Sequence, residues 1–350
     1  MTYYEITRPG FQLPPYSCIG PKSYQSDPTV PSTETIILPA RDHQPHRWRF
    51  ELVAGQTRSA DLGRRARVLA ALFARRPVHI SEAPVFDARI YSPGNFAHFS
   101  CFHVPLIAEV ARQLDLPRNA IKVILPANPP GYTIGLAKLF GLDFLCTDAP
   151  VTGRIVTFDE ALTQDELRIG RRQLVENAGL PDHIAQQVQA SAQTFSGKFF
   201  LSRRGPRSLE NNDAVRRHLE TRGYRMIYTE DLSLIDQFSL MQSAEELVAI
   251  HGAGLAPMLY LKDPQRLKSF VEITPVGWAS SFFREIAHAL GVYHVAVRGR
   301  LKPAYIPGIY KTTGSFMAFQ NDTFSLDLDA LDQALAFAKY RINVPPDLPI

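Results

Sequence analysis

Two patterns of apolar positions alternate along the chain from about residue 80 onward. Short apolar runs are typical of buried strands, and apolar residues three or four positions apart are typical of helices. The alternation predicts parallel sheets with helices on their faces, an α/β fold. The predicted strands are 79–80, 85–90, 121–125 and 142–146 in the first half, and 198–201, 224–228, 247–250, 269–273 and 293–297 in the second.

The predicted helices divide the chain into two halves. They lie at 104–114, 132–140, 165–177, 212–223, 232–243 and 280–290, and a polar helix at 183–194 is the predicted connector. We therefore expect two tandem Rossmann-like domains, at 1–182 and 183–350, whose parallel sheets face a central ligand cleft. A last helix begins near Leu328 and packs either on its own domain or back on the first.

The first 48 residues differ from the rest because they carry eight prolines and little periodicity. Proline-rich segments without periodicity are typical of extended or irregular chain. We expect an arm of the N-terminal domain with one short strand, at 35–38.

Composition indicates a globular protein with ample core: 45% of the 350 residues are apolar and 21% are charged. The net charge of +4 and the pI of 8.9 favour an anionic ligand but do not indicate nucleic acid. Cys18, Cys101 and Cys146 lie far apart, which argues against a disulfide framework or a zinc site. With no signal-like N-terminus and no apolar run of about 20 residues, we expect a cytoplasmic enzyme or binding protein.

A basic helix is predicted between residues 61 and 76. Apolar residues fall there at helical spacing, and five arginines lie between and after them: Arg64, Arg65, Arg67, Arg75 and Arg76. The more common interpretation is a domain helix with a solvated basic face. The alternative is peripheral contact with an anionic membrane surface, on the cytoplasmic side.

The segment after the strand at 247–250 has the form of an anion-binding turn. It runs His251-Gly252-Ala253-Gly254-Leu255 and continues as an apolar helical segment with Pro257 near its start. Two glycines allow a ligand to approach the backbone N–H groups, and a helix N-terminus favours negative charge. Because the dinucleotide fingerprint has three glycines, a purely structural turn explains this segment equally well when it is taken alone.

Charged residues follow the neighbouring strands. Arg203 and Arg204 come directly after the strand at 198–201, and Glu272 lies near the end of the strand at 269–273. The carboxyl ends of parallel strands share one edge, so these side chains can face the Gly252–Gly254 turn. Guanidinium and N–H groups suit a diphosphate, and a carboxylate suits a ribose diol. Taken singly, each arginine is better explained by a surface ion pair than by a binding role, and the corresponding alternative for Glu272 is a solvated carboxylate at the rim.

In this order and spacing the motifs resemble glycosyltransferase family 61. They are Leu201-Ser202-Arg203-Arg204-Gly205, Asn211, His251-Gly252-Ala253-Gly254-Leu255 and Val271-Glu272-Ile273, with Gly94-Asn95-Phe96-Ala97-His98-Phe99 further upstream. The resemblance spans roughly residues 80 to 300 and is strongest in the C-terminal half.

The resemblance implies a two-domain GT-B fold and inverting transfer from a nucleotide sugar, usually a UDP-sugar, with no metal cofactor. The acceptor would be an oligosaccharide or glycolipid of a bacterial-type capsular or surface polysaccharide. By this resemblance Arg203 and the Gly252–Gly254 turn would hold the donor diphosphate. Arg204, Ala253 and Leu255 would belong to the same nucleotide-sugar-binding set. Glu272 would hold the ribose and His251 would line the donor pocket. Asn95 and His98 would face the donor from the acceptor domain.

The sequence departs from the family pattern near the motif histidine. Phe102 stands where an acidic residue is common, Val104-Pro105-Leu106 replaces Leu-Pro-Arg, and Ala256-Pro257 replaces the usual Asn or Thr. Inverting transfer needs a base for the acceptor hydroxyl, and imidazole titrates near neutral pH. His98 is the candidate, ahead of His103, although a structural histidine explains His98 equally well.

Other functions fit the sequence less well. Asp327-Leu328-Asp329 has the pattern of a metal-binding Asp-x-Asp, but it lies after the sheet and at the start of the last predicted helix, where Asp is favoured. A Rossmann oxidoreductase is disfavoured by the incomplete glycine pattern. A glycan- or nucleotide-sugar-binding homologue without activity stays an alternative because of Phe102.

Overall fold

The computed structural model describes residues 2–14, 16–21, 33–38, 40–57, 76–159, 171–191, 193–275, 280–300 and 321–340. Except for Arg76, the predicted basic helix lies outside these residues. The chain forms two compact units. Unit 1 comprises residues 1–10 and 44–187, and unit 2 comprises residues 11–43 and 188–350.

Strands and helices alternate through most of the described chain, as predicted. The strands are β1 (Tyr4–Arg8), β2 (Phe11–Leu13), β3 (Tyr16–Pro21), β4 (Thr33–Leu38), β5 (Arg41–His43), β6 (His46–Gln56), β7 (Val78–Asp87), β8 (Lys122–Leu125), β9 (Asp143–Cys146), β10 (Val151–Phe158), β11 (Gly197–Ser202), β12 (Tyr224–Tyr228), β13 (Ala244–Ile250), β14 (Ser269–Thr274) and β15 (Tyr293–Arg298). The α-helices are α1 (Phe96–His98), α2 (Val104–Gln113), α3 (Gly131–Leu139), α4 (Arg171–Asn177), α5 (Leu180–Gln187), α6 (Asn212–Glu220), α7 (Leu234–Ser243), α8 (Phe282–Ala289) and α9 (Leu328–Tyr340).

Unit 1 contains a six-stranded mixed sheet in the order β1-β6-β10-β7-β8-β9. Strands β10, β7, β8 and β9 are parallel. Strand β6 pairs antiparallel with β10, and β1 pairs antiparallel with β6. Strand β6 was not predicted, although its sequence carries the signal: buried Trp48 and Phe50 alternate with exposed Arg47 and Arg49. Strand β10 was also missed, and β7 is one long strand where two short ones were predicted.

Unit 2 contains a seven-stranded sheet in the order β12-β11-β13-β14-β15-β3-β4, parallel except for β4. The five strands predicted for this half are confirmed. The short strand predicted at 35–38 is confirmed, since it lies within β4. The rest of the predicted irregular arm was wrong, because β3 pairs with β15 and β4 pairs with β3 at the edge of the sheet. Buried Cys18 and Ile19 supply the apolar contacts that hold this segment on the sheet.

Helices α6 and α9 contribute to one apolar cluster of unit 2. The predicted inner face of α6 is confirmed, since Val215 and Leu219 are buried. Helix α9 packs on β14, β15 and β3, and its buried Leu331 and Ala334 belong to the same core. The last helix therefore buries its apolar face within unit 2.

The residue before α9 caps it. Asp327 Oδ1 accepts hydrogen bonds from the N–H groups of Asp329 (2.9 Å) and Ala330 (3.3 Å), and Oδ2 pairs with Arg300. A capping aspartate satisfies N–H groups that have no partner inside the helix. The interpretation of Asp327-Leu328-Asp329 as a helix start is confirmed.

All three cysteines are free thiols, as the sequence indicated. Burial raises the pKa of Cys18 and of Cys101 to about 11, so both stay protonated at neutral pH. None of the described helices combines the length and apolarity needed to cross a bilayer. The mixed α/β class and the parallel sheets are confirmed, and the GT-B arrangement stays a prediction.

Candidate functional site

The carboxyl ends of β11, β13 and β14 bring the predicted donor-binding residues together in unit 2. These three strands are parallel neighbours, with Leu201 opposite Ala249 and Ala249 opposite Glu272. The segments that follow β11 and β13, which begin at Arg203 and His251, therefore leave the sheet at the same edge. Ligands of open parallel sheets bind at this edge.

Arg203 packs directly against the glycine turn. Its Nη1 donates a hydrogen bond to the carbonyl oxygen of His251 at 3.1 Å. A Cβ placed on Gly252 would lie only 2.7 Å from the same Nη1, so glycine is what permits this approach. The Nε of Arg203 is buried and has no hydrogen-bond acceptor within the part of the chain that the structure describes.

Arg207 is a second cation at this site, and sequence reasoning missed it. The loop between β11 and α6 passes through left-handed backbone at Gly205 (φ 71°) and at Arg207 (φ 63°). Burial, reinforced by the charge of Arg203, lowers the pKa of Arg207 to about 10. Burial also lowers the pKa of Arg203, and the Glu230 carboxylate only partly opposes it.

Arg204 forms a different set of contacts from those of Arg203. Its guanidinium forms a two-bonded pair with Asp231, at 2.7 and 2.8 Å, and lies 3.8 Å above the ring of Tyr228. Arg204 is exposed, so this contact is a surface ion pair, the alternative that the sequence had left open.

The turn opens a short 3₁₀ helix, Ala253–Tyr260, where a helical start was predicted. The N–H of Leu255 bonds the carbonyl of Gly252 at 3.1 Å, and Pro257 inside the segment has no N–H to donate. Gly254 is required here because a Cβ would lie 2.6 Å from Thr229 Oγ1. Leu255 is 1% exposed and is a core residue, whereas Ala253 is half-buried beside the glycines.

Glu272 is the centre of a buried histidine–carboxylate network. Its Oε1 lies 2.5 Å from His251 Nδ1, and its Oε2 lies 2.9 Å from His294 Nε2. Burial opposes ionisation, but the hydrogen bonds and charges of the two histidines lower the pKa of Glu272 to about 2. The expectation of a carboxylate at the solvent rim was wrong: Glu272 is 1% exposed and both of its oxygens are already bonded.

Asn95 and His98 lie in unit 1, at the start of a helix. The Asn95 side chain accepts a hydrogen bond from the N–H of His98 at 3.2 Å and so caps α1. A π-helical turn, Phe99–His103, follows before α2 begins. π-Helical turns are rare in proteins overall, and those that occur are often found at functional sites. The half-buried His98 lies directly before this turn.

His103 is unsuited to act as a base. It is fully buried, and burial lowers its pKa to about 3 against the opposing effect of the Tyr91 and Ile90 backbone. An imidazole with so low a pKa stays neutral and takes up a proton weakly at physiological pH. Among the described residues, no group of three or more His, Cys, Asp and Glu side chains is placed to hold a metal ion.

Replacing Gly252 by alanine tests the contact between Arg203 and the turn. Gly252 has extended backbone (φ 173°), so alanine adds no backbone strain, and its methyl group would displace the Arg203 guanidinium. We expect about tenfold weaker UDP binding with little change in Tm, measured by calorimetry and thermal unfolding. Gly131→Ala is the matched control because a Cβ there meets open space. Unchanged affinity in Gly252→Ala would contradict the role of this contact.

Comparison with known proteins identifies the family of this chain. The sequence matches the model of the family described as Glycosyltransferase 61 over residues 69–267, more than half of the chain. The match includes Arg203, Arg207 and the Gly252–Gly254 turn. No curated protein matches the sequence. On the extent of the family match, the chain belongs to glycosyltransferase family 61.

Proposed function

We propose that the protein transfers a sugar from a UDP-sugar donor to an oligosaccharide or glycolipid acceptor in surface polysaccharide synthesis, with inversion and without a metal. The observation that carries the proposal is the half-buried Arg203 guanidinium against the glycine turn, with a second half-buried guanidinium, Arg207, close enough to Arg203 for their charges to interact. Burial disfavours both charges, so an anion of two or more charges would be strongly attracted.

A diphosphate suits these groups better than a single carboxylate. Guanidiniums form paired hydrogen bonds with phosphate oxygens, and the first N–H groups of a helical segment have no partner inside it. During transfer, negative charge builds up on the departing diphosphate. Cations and N–H groups already in place lower the energy of that charge, which is how they would assist the reaction.

We propose that Glu272 positions His251 instead of holding the ribose. A carboxylate with a pKa of about 2 is ionised and can only accept hydrogen bonds. The facing nitrogens, Nδ1 of His251 and Nε2 of His294, must therefore carry protons. This fixes the ring of His251 directly after β13, where its backbone carbonyl also receives the Arg203 hydrogen bond.

His98 is the proposed base, since the low pKa of His103 argues against that alternative. His98→Ala should lower kcat by about 10²- to 10⁴-fold with little effect on UDP binding, because general-base catalysis acts on the acceptor step. The exposed His79 provides the control, and His79→Ala should retain activity. Wild-type turnover in His98→Ala would remove His98 from the mechanism and leave it a structural histidine.

A binding protein without activity is the second candidate, because Phe102 occupies the position where the family resemblance calls for an acid. A nucleotide panel separates the possibilities. UDP at 100 times its Kd should stabilise the protein by about 2.7 kcal/mol in the presence of a chelator, and NAD should not. Sugar release or transfer with a panel of UDP-sugars then distinguishes an enzyme from a binding protein. Stabilisation by NAD alone would favour the oxidoreductase.

We also propose a cytoplasmic location, where UDP-sugars are made available to such an enzyme. The five arginines between 64 and 76 are the candidate contact with the anionic face of the inner membrane. Binding to vesicles that contain an anionic lipid, with loss of binding at high salt, would support this contact.

A further inference from the structure

A small pocket opens in unit 1. Its lining shares no residue with the contacts of Arg203 and Glu272 described above. It has a volume of about 240 Å³ and lies at the carboxyl ends of the parallel strands β7 and β10. Its lining includes Asp87, Ile90, Tyr91, Phe102, His103 and Phe158. This volume falls below the roughly 300–1,000 Å³ of pockets that hold drug-sized ligands, so it suits a single ring.

Aromatic side chains form the walls. The ring of Tyr91 meets that of Phe102 edge to face at 5.2 Å, and Phe102 meets His103 in the same way at 5.0 Å. Tyr91 (φ 57°) and Ser92 (φ 54°) both have left-handed backbone, which is costly for residues other than glycine. Two such residues in succession hold the Tyr91 ring at the pocket, and strain of this kind is concentrated at binding sites.

One carboxylate completes the pocket, and its orientation is fixed. Arg89 donates to Asp87 Oδ1 from Nε at 2.9 Å and from its backbone N–H at 3.1 Å, and to Oδ2 from Nη2 at 2.8 Å. The Arg89 side chain is fully buried and also bonds the carbonyl of Ala149 at 2.8 Å. A carboxylate has about four acceptor positions. Within the part of the chain that the structure describes, Arg89 takes three of those of Asp87, which leaves one for a ligand in the pocket.

We propose that this pocket binds one pyranose ring of a saccharide, with a C–H face on Tyr91 and a hydroxyl donating to Asp87. The C–H face of a pyranose is apolar and packs on the electron-rich face of an aromatic ring. A purely apolar ligand would bury the Asp87 carboxylate without using its remaining acceptor position, which is unfavourable. A ring with both an apolar face and hydroxyl groups uses both parts of the lining.

The inference deepens the proposed function by giving unit 1 a sugar site of the acceptor class. It rests on the proposed function only in identifying the bound sugar as part of the acceptor. Binding of a free glycoside requires no nucleotide, so the sugar pocket and the proposed donor site can be refuted independently.

The test is saturation-transfer NMR on the full chain with methyl glycosides of glucose, galactose and xylose, and with p-cresol as an apolar probe. We expect saturation of the C–H face of at least one glycoside at about 10 mM, with affinity reduced about 2- to 10-fold in Tyr91→Asn. Asparagine removes the ring but tolerates left-handed backbone, so this variant should fold. Tyr91→Phe keeps the ring, and Tyr3→Asn alters an exposed tyrosine of the same unit, so both should bind as the wild type does.

Asp87→Asn is the second variant and should weaken glycoside binding about tenfold. Should it unfold because Arg89 loses its partner, Tyr91→Asn still decides the matter. Binding of p-cresol alone, no glycoside binding, or equal binding by Tyr91→Asn would each overturn the proposal. Arg203→Ala should leave glycoside binding unchanged. If the protein binds a glycoside but does not bind UDP, the proposed donor site is refuted and the proposed sugar pocket is still supported.

Discussion

Replacing Arg203 by alanine should weaken UDP binding by about 100-fold or more, equivalent to roughly 3 kcal/mol. The guanidinium lies against the bare backbone of Gly252, and its buried Nε has no acceptor among the described residues. A diphosphate placed at the turn would supply that acceptor and compensate a cation that burial disfavours. Calorimetric titration with UDP in the presence of a chelator measures the effect.

Arg204 provides a control at the adjacent position. Its guanidinium is exposed and paired with Asp231, so Arg204→Ala removes an equal charge without touching the turn. We expect less than about a threefold change in UDP affinity, because surface ion pairs contribute little. Equal losses in Arg203→Ala and Arg204→Ala would mean that only net charge matters, which contradicts a specific site.

Replacing Glu272 by glutamine should lower the free energy of unfolding by about 3 kcal/mol at neutral pH. The carboxylate is buried and accepts a hydrogen bond from each of two histidines, His251 and His294. An amide would turn its NH₂ toward one of those N–H groups and leave a buried donor unpaired. Chemical denaturation of Glu272→Gln measures the loss. The control is Glu245→Gln, whose side chain is 41% exposed and paired with Lys268, and it should lose less than about 1 kcal/mol.

The same carboxylate predicts a pH dependence. Its pKa is about 2 in the folded protein, against an ordinary value of 4.5, so below pH 4.5 the unfolded state binds more protons. The stabilisation from Glu272 is therefore complete above about pH 4.5 and is lost as the pH falls toward 2. Glu272→Gln should lack this part of the acid destabilisation. An identical loss of stability with acid in the wild type and the variant would count against an ionised Glu272.

Much of the fold of unit 2 could be predicted because its strands carry strong local signals. The strand predicted at 224–228 matches β12, and those at 198–201 and 269–273 differ from β11 and β14 by a residue or two. Strand β4 was predicted at 35–38, but β3 was missed for a physical reason. Strand β3 is stabilised by pairing with β15, almost 280 residues later in the sequence. A local pattern of apolar residues cannot predict a pairing partner so far along the chain.

For the candidate site, the sequence identified Arg203 and the glycine turn, and the structure places them in contact. It could not identify what surrounds each side chain. Glu272 lies near the end of its strand as predicted, but its side chain points into the buried side of the sheet and meets two histidines. Arg204 and Arg207 look alike in the sequence, and only the loop geometry separates the exposed ion pair from the half-buried cation.

The dependence of binding on phosphate number tests the central claim most directly. Calorimetry with UDP, UMP and uridine, on the wild-type chain and with a chelator present, asks whether unit 2 recognises a diphosphate. We predict that UDP binds about 100-fold more tightly than uridine, with UMP between them, and that Arg203→Ala removes most of this difference. Equal affinity for UDP and uridine, or no binding of UDP at all, would contradict the account.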